Sequence, residues 1–511
     1  MAGLGNSTVF SPATGDAKID GILSARHWGD PVVTYSFPPD ESFLVDYDAS
    51  YDDTIATFQS VTSAQEAAIH FALSVDQGPA AASGFAIEAF TAQDFDYVAQ
   101  ASASQVEHLR FMRLDQSFVP TAFAFFPFSD AYGGDVAFNN VDFDAPQAGD
   151  YGWFTHLHEI GHALGLSHGH EGNGGKGLQP IEFDEMQFTV MSYRSHSDSA
   201  RPPAAYENYS SSYAQTYMAL DIQALQHLYG VDYGSNSGNT VYSWDPNSGD
   251  TLIDGALAID AVGDEVFMTV WDGGGVDTYD LGAYSDATDL VIDLTPGLGT
   301  TLATYQRAAL GLDAQNQEIL ANYSVYNAYM FADDPRSLIE NAIAGAGNDV
   351  MTGNQADNQL TAGLGADTLL GQHGKDDLIG GQGYDLLLGG MNADVLSGNK
   401  GWDILKGGQG DDILNGGNGN DVLRGDAGAD RLKGGNGSDR FVFAANSSDG
   451  NIIRDFEDGL DSIKFSGSGV TFASTTLTQQ GADVLVDFGS SSVLVRRIDV
   501  ADLTSADFEF S

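Results

Sequence analysis

The chain has no cysteine among its 511 residues, which excludes disulfides and leaves packing and bound metal to stabilise any life outside the cell. Basic residues are scarce: 20 Lys and Arg stand against 72 Asp and Glu, a formal net charge of −52. That balance argues against nucleic acid or an anionic membrane surface as partner and makes multivalent cations the natural counter-charge. Acidity of this kind also serves solubility in a salt-adapted protein, and the two readings are compatible. No run approaches the roughly 18 consecutive apolar residues of a membrane span; the nearest is the short one from Phe123 to Phe128. Before Lys18 there is no basic residue, and no apolar core with a small-residue cleavage site follows. A Sec-type signal peptide is therefore not expected, and export needs another route.

Residues 1–18, rich in Gly, Ser, Thr and Ala, read as a flexible leader or short pro-segment with no fold of their own. Residues 19–233 mix helical and strand patterns, which predicts an α+β domain. Helices are expected from Ser63 to Val75, Tyr151 to Leu166 and Met218 to Leu228, with a short strand from Gly133 to Phe138. From Gly234 onwards glycine, aspartate and short alternating strands take over, and residues 234–511 are assigned to a second, all-β domain.

Between Ala344 and Val442 the chain repeats every nine residues, as in GGQGDDILN from Gly407 and GGNGNDVLR from Gly416. Fixed short periods of this kind mark calcium-binding parallel β-rolls. The sixth position is Asp349, Asp367, Asp376, Asp385, Asp394, Asp403, Asp412, Asp421, Asp430 and Asp439, with Asn358 in one degenerate window. The eighth is mostly Leu or Met and points inward from a short strand. Stacking the turns aligns the aspartates in columns, where they repel. A hard cation that accepts six to eight oxygen ligands removes that repulsion, and calcium does so where magnesium does not. Several calcium ions are expected. A flexible Gly/Asp linker has no reason to keep Leu and Asp in register over so many windows.

The run His158-Glu159-Ile160-Gly161-His162-Ala163-Leu164-Gly165-Leu166-Ser167-His168 carries the second strong signal. On a helix, His158 and His162 share one face a turn apart, so both imidazoles reach one metal ion. Glu159 falls beside them as a candidate general base that is not itself a ligand. Gly165 is placed to end the helix in the left-handed conformation, so that His168 supplies a third ligand and a fourth position stays open for water. Two histidines and a glutamate alone can be a solvated helix face. The longer form, followed by the Met-turn Thr189-Val190-Met191-Ser192-Tyr193, is the metzincin signature. Met191 by itself would read as core filler. His156 and His170 flank the motif at the wrong spacing and read as supporting or surface groups.

Other motifs arrive in a recognisable order: Ile19-Asp20-Gly21, Thr34-Tyr35-Ser36-Phe37-Pro38, Gly133-Gly134-Asp135-Val136, then Asp221-Ile222-Gln223-Ala224-Leu225-Gln226 with Leu228-Tyr229-Gly230, Val270-Trp271-Asp272-Gly273-Gly274 and Ile339-Glu340-Asn341-Ala342. In this arrangement the chain resembles the serralysin family of bacterial metalloproteases over nearly its whole length. The resemblance implies an α+β metzincin catalytic domain followed by a parallel β-roll, a catalytic zinc ion, and endopeptidase activity on extracellular proteins. It implies Tyr193 as a zinc ligand of the resting enzyme that swings to support the tetrahedral intermediate, and Gly134, Asp135, Val136, Ala137 and Phe138 as the edge strand that pairs with extended substrate. It also implies secretion through a one-step (type I) channel read from the C-terminal Asp507-Phe508-Glu509-Phe510, and a monomer. Gly169 stands where the family usually has proline, and Gly172 to Gly177 form a glycine-rich stretch in the region that shapes the pocket beyond the scissile bond.

Two rival classes are a binding protein with a retired peptidase domain and a different secreted hydrolase on the same repeats. An intact set of zinc ligands with Glu159 speaks against the first. A serine lipase or esterase needs a Gly-x-Ser-x-Gly run, and none is expected anywhere in the chain, while a polysaccharide lyase leaves the zinc helix unexplained.

Overall fold

Short apolar runs ahead of the zinc motif assemble into a five-stranded sheet. The computed structural model describes residues 7–44, 52–77, 84–99, 107–130, 132–172, 175–196, 206–285, 288–444, 450–466, 470–488 and 491–510. Contacts divide the chain into one unit of Met1–Gly275 with Pro296–Ser337, and another of Val276–Thr295 with Leu338–Ser511.

In the first unit, β1 (Thr8–Phe10) pairs antiparallel with β2 (Arg26–Trp28). The main sheet runs β4-β3-β5-β7-β6, from β3 (Val32–Ser36), β4 (Asp94–Tyr97), β5 (Leu109–Leu114), β6 (Ala122–Ala124) and β7 (Val136–Asn139). All neighbours are parallel except β6, which runs antiparallel to β7. The helices are α1 (Ala17–Asp20), α2 (Asp52–Ile55), α3 (Ser63–Leu73), α4 (Ile87–Phe90), α5 (Tyr151–Leu164) and α6 (Ala219–Tyr229). Thr62 and Gln65 close a reciprocal capping box at the start of α3. Ile69, Ala72 and Leu73 of α3 join Phe154, Leu157 and Ile160 of α5 and Leu220 and Leu225 of α6 in one buried core. The three longer helices lie where periodicity predicts them, with ends differing by a residue or two.

The leader is not without fold. Residues 1–6 lie outside the described residues, but Thr8–Phe10 form β1, and the Asp20 carboxylate accepts from the backbone N–H groups of Thr14 (2.6 Å) and Gly15 (3.1 Å). A three-residue strand is too short to leave a periodicity, and its partner at Arg26–Trp28 lies beyond the leader's own residues. The boundary also differs from the composition shift at Gly234: the strands Val241–Trp244, Thr251–Ile253 and Met268–Val270 belong to the first unit. Composition there records a change from helix to strand, not a change of core.

In the second unit, two parallel sheets alternate every nine residues, and each strand pairs with the one eighteen residues on. Leu378, Leu396, Leu414 and Leu432 line up in one sheet, and Leu369, Leu387, Leu405, Leu423 and Phe441 in the other. All are 0% exposed, as inward-pointing residues of a roll must be. A first turn precedes the repeats: Thr278–Asp280 and Val291–Asp293 pair in parallel with Asn341–Ile343 and Val350–Thr352. At the far end Phe508–Phe510 pairs in parallel with Ser462–Ser466. Glycine is compulsory at turns such as Gly401, where φ is +140° and a Cβ would sit 1.4 Å from the Gly383 carbonyl oxygen.

Leu405→Ala opens a cavity in a dry interior and should cost about 2–5 kcal/mol, read from the chemical denaturation midpoint of the roll in saturating calcium. A cost below about 0.5 kcal/mol would contradict the inward packing.

Candidate metal centre and active site

Asp150 starts α5 by accepting from Trp153 N–H at 2.6 Å. Gly165 ends it at φ 106°, its N–H bonding back to Gly161 and His162 carbonyls. The last carbonyls are also satisfied: Trp28 Nε1–H donates to Ala163 O (3.0 Å) and the Tyr229 hydroxyl to Leu164 O (2.6 Å). After the turn the chain runs extended against residues 22–24, with Ser167 N donating to Ile22 O and Ser24 N to Gly165 O, both at 2.8 Å. This pins His168 back over the helix.

The predicted ligands converge. His168 Nε2 lies 3.1 Å from His158 Nε2 and 3.0 Å from His162 Nε2, and all three residues are buried. His158 Nδ1 bonds Val190 O at 2.7 Å and His162 Nδ1 bonds Leu166 O at 2.9 Å. A carbonyl only accepts, so each Nδ1 carries the proton and each Nε2 turns a lone pair toward the cluster. Burial, with the neighbouring imidazoles, holds His158 well below the ordinary histidine range; burial pushes His162 down to about 4 and His168 to about 2. Neutral nitrogens facing one another with no donor between them fit a divalent cation of nitrogen-binding character, and zinc above all.

Burial pushes the Glu159 carboxyl up to about 8. It opens on a cleft of about 230 Å³ together with His158, Tyr193, Tyr151, Tyr206, Thr155 and Ala122. Tyr193 packs its ring 4.2 Å from that of His168, and its phenol is raised to about 12, first by burial and then by Glu159. His170 is exposed with its ring 5.3 Å from that of His168. His156 is not a surface group: it is 1% exposed, stacked at 3.9 Å on Phe138, with Nδ1 bonded to Gly152 O.

Beneath the cluster, Met191 is fully buried, and a Cβ at Gly161 would meet its Sδ at 2.7 Å. The Met-turn is held by Asp221, which accepts from Thr189 Oγ1 (2.6 Å), Val190 N (2.7 Å) and Met218 N (3.0 Å). Because Val190 O in turn bonds His158, Asp221 positions a ligand at one remove. The sequence placed Asp221 only within a family motif; a carboxylate among the apolar residues of α6 was the available signal.

The expected substrate strand needs correction. Val136, Ala137 and Phe138 are paired on both sides, with β5 and with β6. Asp135 is locked in a buried bidentate pair with Arg110 (2.9 and 2.8 Å), and Gly134 donates to Phe125 O. An interior strand has no backbone left to offer. Of the sheet's two edge strands β6 borders this cleft, and among the described residues no strand pairs with its outer side: Asn139 N donates to Thr121 O and Phe125 N to Asp135 O, so by antiparallel alternation Ala122 and Ala124 turn their backbone groups away from β7. The run Gly165-Leu166-Ser167-His168-Gly169 does spell Gly-x-Ser-x-Gly, but Ser167 is 0% exposed and follows a helix. It is no nucleophile elbow.

In the roll, every aspartate expected to bind calcium is buried and has an Oδ2 with no hydrogen-bond partner, from Asp349 and Asp367 through Asp376, Asp385, Asp394, Asp403, Asp412, Asp421 and Asp430 to Asp439. Their Oδ1 atoms accept from the backbone eighteen residues earlier in the repeats, as Asp403 does from Asp385 N at 3.0 Å. Asn358 breaks the series instructively: its amide donates to Glu340 O at 2.8 Å and its oxygen accepts from Asn354 N. Burial, then neighbouring aspartates, push Asp385, Asp412 and Asp421 up to about 7. Such oxygens fit a hard cation. Asp461 extends the column by accepting from Asp439 N at 2.9 Å; its offset of twenty-two residues hid it from a nine-residue alignment.

Comparison with known proteins finds a likeness to a calcium-binding repeat and to bacterial metalloproteases. The RTX calcium-binding nonapeptide repeat matches residues 339–369, 352–387, 370–405, 388–423 and 406–441. Serralysin of Proteus mirabilis is 33% identical over 251 residues, 47% of this chain and 44% of that protein. Over that half, this chain is similar to a serralysin. Serralysin G of Dickeya chrysanthemi is 33% identical over 249 residues (47% and 44%), and metalloprotease AprA of Pseudomonas entomophila is 28% identical over 276 (51% and 50%). The chain thus spans about half the length of the curated relatives it matches. The repeat match supports calcium and the metalloprotease relatives imply zinc, and the donor sets of the roll aspartates and of the three histidines fit those ions.

Two outcomes follow from these sites. Asp221→Ala removes the acceptor that fixes the Met-turn and should weaken zinc binding about 10- to 100-fold; chelator competition measures it, and unchanged affinity would refute the anchoring role. In calcium-free buffer the roll aspartates hold protons more tightly folded than unfolded, where they ionise near about 4. Stability should therefore fall as pH rises from about 4 to about 7. Circular dichroism in EDTA tests this, and a calcium-free roll equally folded at pH 5 and pH 8 would count against it.

Proposed function

We propose that the chain is a secreted zinc-dependent endopeptidase acting on extracellular proteins. The observation that carries this reading is the convergence of three histidine nitrogens beside a buried glutamate, in a cleft bordered by an unpaired strand edge.

An extended peptide adds antiparallel to β6 through the backbone of Ala122 and Ala124, which brings its scissile carbonyl over the histidine cluster. His158, His162 and His168 would hold a zinc ion, which would supply Lewis acidity at this position. Glu159 accepts the water proton and delivers it to the leaving amine nitrogen. Burial pushes its carboxyl up to about 8, near the neutral range in which one group serves as base and then acid. Tyr193 keeps its proton at neutral pH and donates it as a hydrogen bond to the carbonyl oxygen as negative charge builds.

Calcium at the aspartate columns stabilises the roll outside the cell, where modules of this kind bind at sub-millimolar to millimolar concentrations. Low calcium inside keeps those columns unneutralised and the roll unfolded for passage through a type I channel. The terminal Asp507-Phe508-Glu509-Phe510 is the export signal in this reading, and the enzyme acts as a monomer.

Hydrolysis of unfolded casein by wild type and Glu159→Ala, in millimolar calcium with stoichiometric zinc, tests the proposal. The variant should keep its zinc and lose about 10²- to 10⁴-fold in rate, the range for general acid–base catalysis. A folded, zinc-loaded wild type that cleaves nothing favours the binding-protein alternative.

A further inference from the structure

The β-roll carries an exposed aromatic pair used neither by the calcium columns nor by the proposed peptidase. The fifth position of each nonapeptide stands on the outer side of a turn, just before the aspartate. In one column of successive rungs it is Tyr384, Trp402, Asn420 and Ser438. Tyr384 is 67% and Trp402 60% exposed, with ring centroids 6.1 Å apart and planes inclined at 47°. Single exposed aromatics need no explanation, but a pair in register on neighbouring rungs forms a surface.

Trp402 stands at one end of an open groove of about 640 Å³ that continues over Asn420, Ser438 and Leu460 to Arg440 and Glu509. Asn420 Oδ1 accepts from Ser438 N at 2.8 Å, which leaves its amide N–H groups as donors. Arg440 is paired with Glu509 at 3.0 Å, so its charge is already balanced. The platform and groove follow the stacking direction at about 4.8 Å per rung, a straight path that suits a linear polymer. Flat aromatic faces stack on the C–H faces of pyranose rings, and the Asn420 amide and Ser438 hydroxyl farther along bind hydroxyls. Asp421, Asp439 and Asp461 under the groove belong to the calcium column; it is the net charge of −52 that disfavours an anionic chain or a second copy as the occupant.

We propose that this face of the roll binds a neutral linear polysaccharide, with Trp402 and Tyr384 as stacking platform and Asn420 as hydroxyl-binding group. The site stands apart from the proposed peptidase chemistry, and binding is read without reference to it.

Affinity electrophoresis of the full-length, calcium-loaded protein through gels containing hydroxyethylcellulose, galactomannan, laminarin or alginate tests the proposal. Retardation is expected in at least one neutral gel and not in alginate. Trp402→Ala should abolish it, Trp402→Phe should preserve it, and neither should change casein hydrolysis or the calcium-loaded melting temperature. Because Trp402 is mostly exposed, folding of both variants can be verified by that melt. Absence of retardation in every neutral gel, equal retardation of Trp402→Ala, or retardation by alginate overturns it.

Discussion

A buried lone pair with no donor costs about 1–3 kcal/mol, and this chain accepts that cost repeatedly in its two key places. His168 Nε2 lies within 3.1 Å of the Nε2 atoms of both His158 and His162, and the roll aspartates each hide an unpaired Oδ2. The Nδ1 atoms of His158 and His162 are committed to backbone carbonyls and the repeat Oδ1 atoms to backbone N–H groups. Once the carboxylates ionise, a bound cation is what neutralises them. The rest of the architecture can be understood as machinery for holding acceptors close enough that metal, rather than protons or water, satisfies them.

That constraint explains the backbone devices around each cluster. At the histidines, the Gly165 turn, the Ile22–Ser24 pairing and the Asp221 anchor each remove one degree of freedom from a ligand. In the roll, glycine lets successive turns approach until carbonyls and carboxylates share a level. Asn358 shows the alternative: given an amide, the same position closes its own hydrogen bonds. Acidity is therefore functional at particular positions in the roll, beyond any general effect on solubility.

Much of the site was legible because its residues are close in sequence. His158, Glu159 and His162 lie on one helical turn, and the nonapeptide register places every expected aspartate, since periodicity turns directly into alignment. Less legible were features made by pairing between distant segments. The leader reads as unstructured until residues 26–28 give it a partner. The substrate edge was assigned to residues 134–138, yet which strand lies outermost depends on where residues 122–124 dock.

The sequence by itself determined the chemistry on offer: which side chains could meet a metal, in what order, and with what period, because residue identity and short-range spacing are local properties. Tertiary structure alone decided which strand edge stays free, that Asp221 holds the Met-turn, and that His156 is buried while Tyr384 and Trp402 share a surface. Those outcomes rest on contacts between residues far apart along the chain, whose geometry no local spacing encodes.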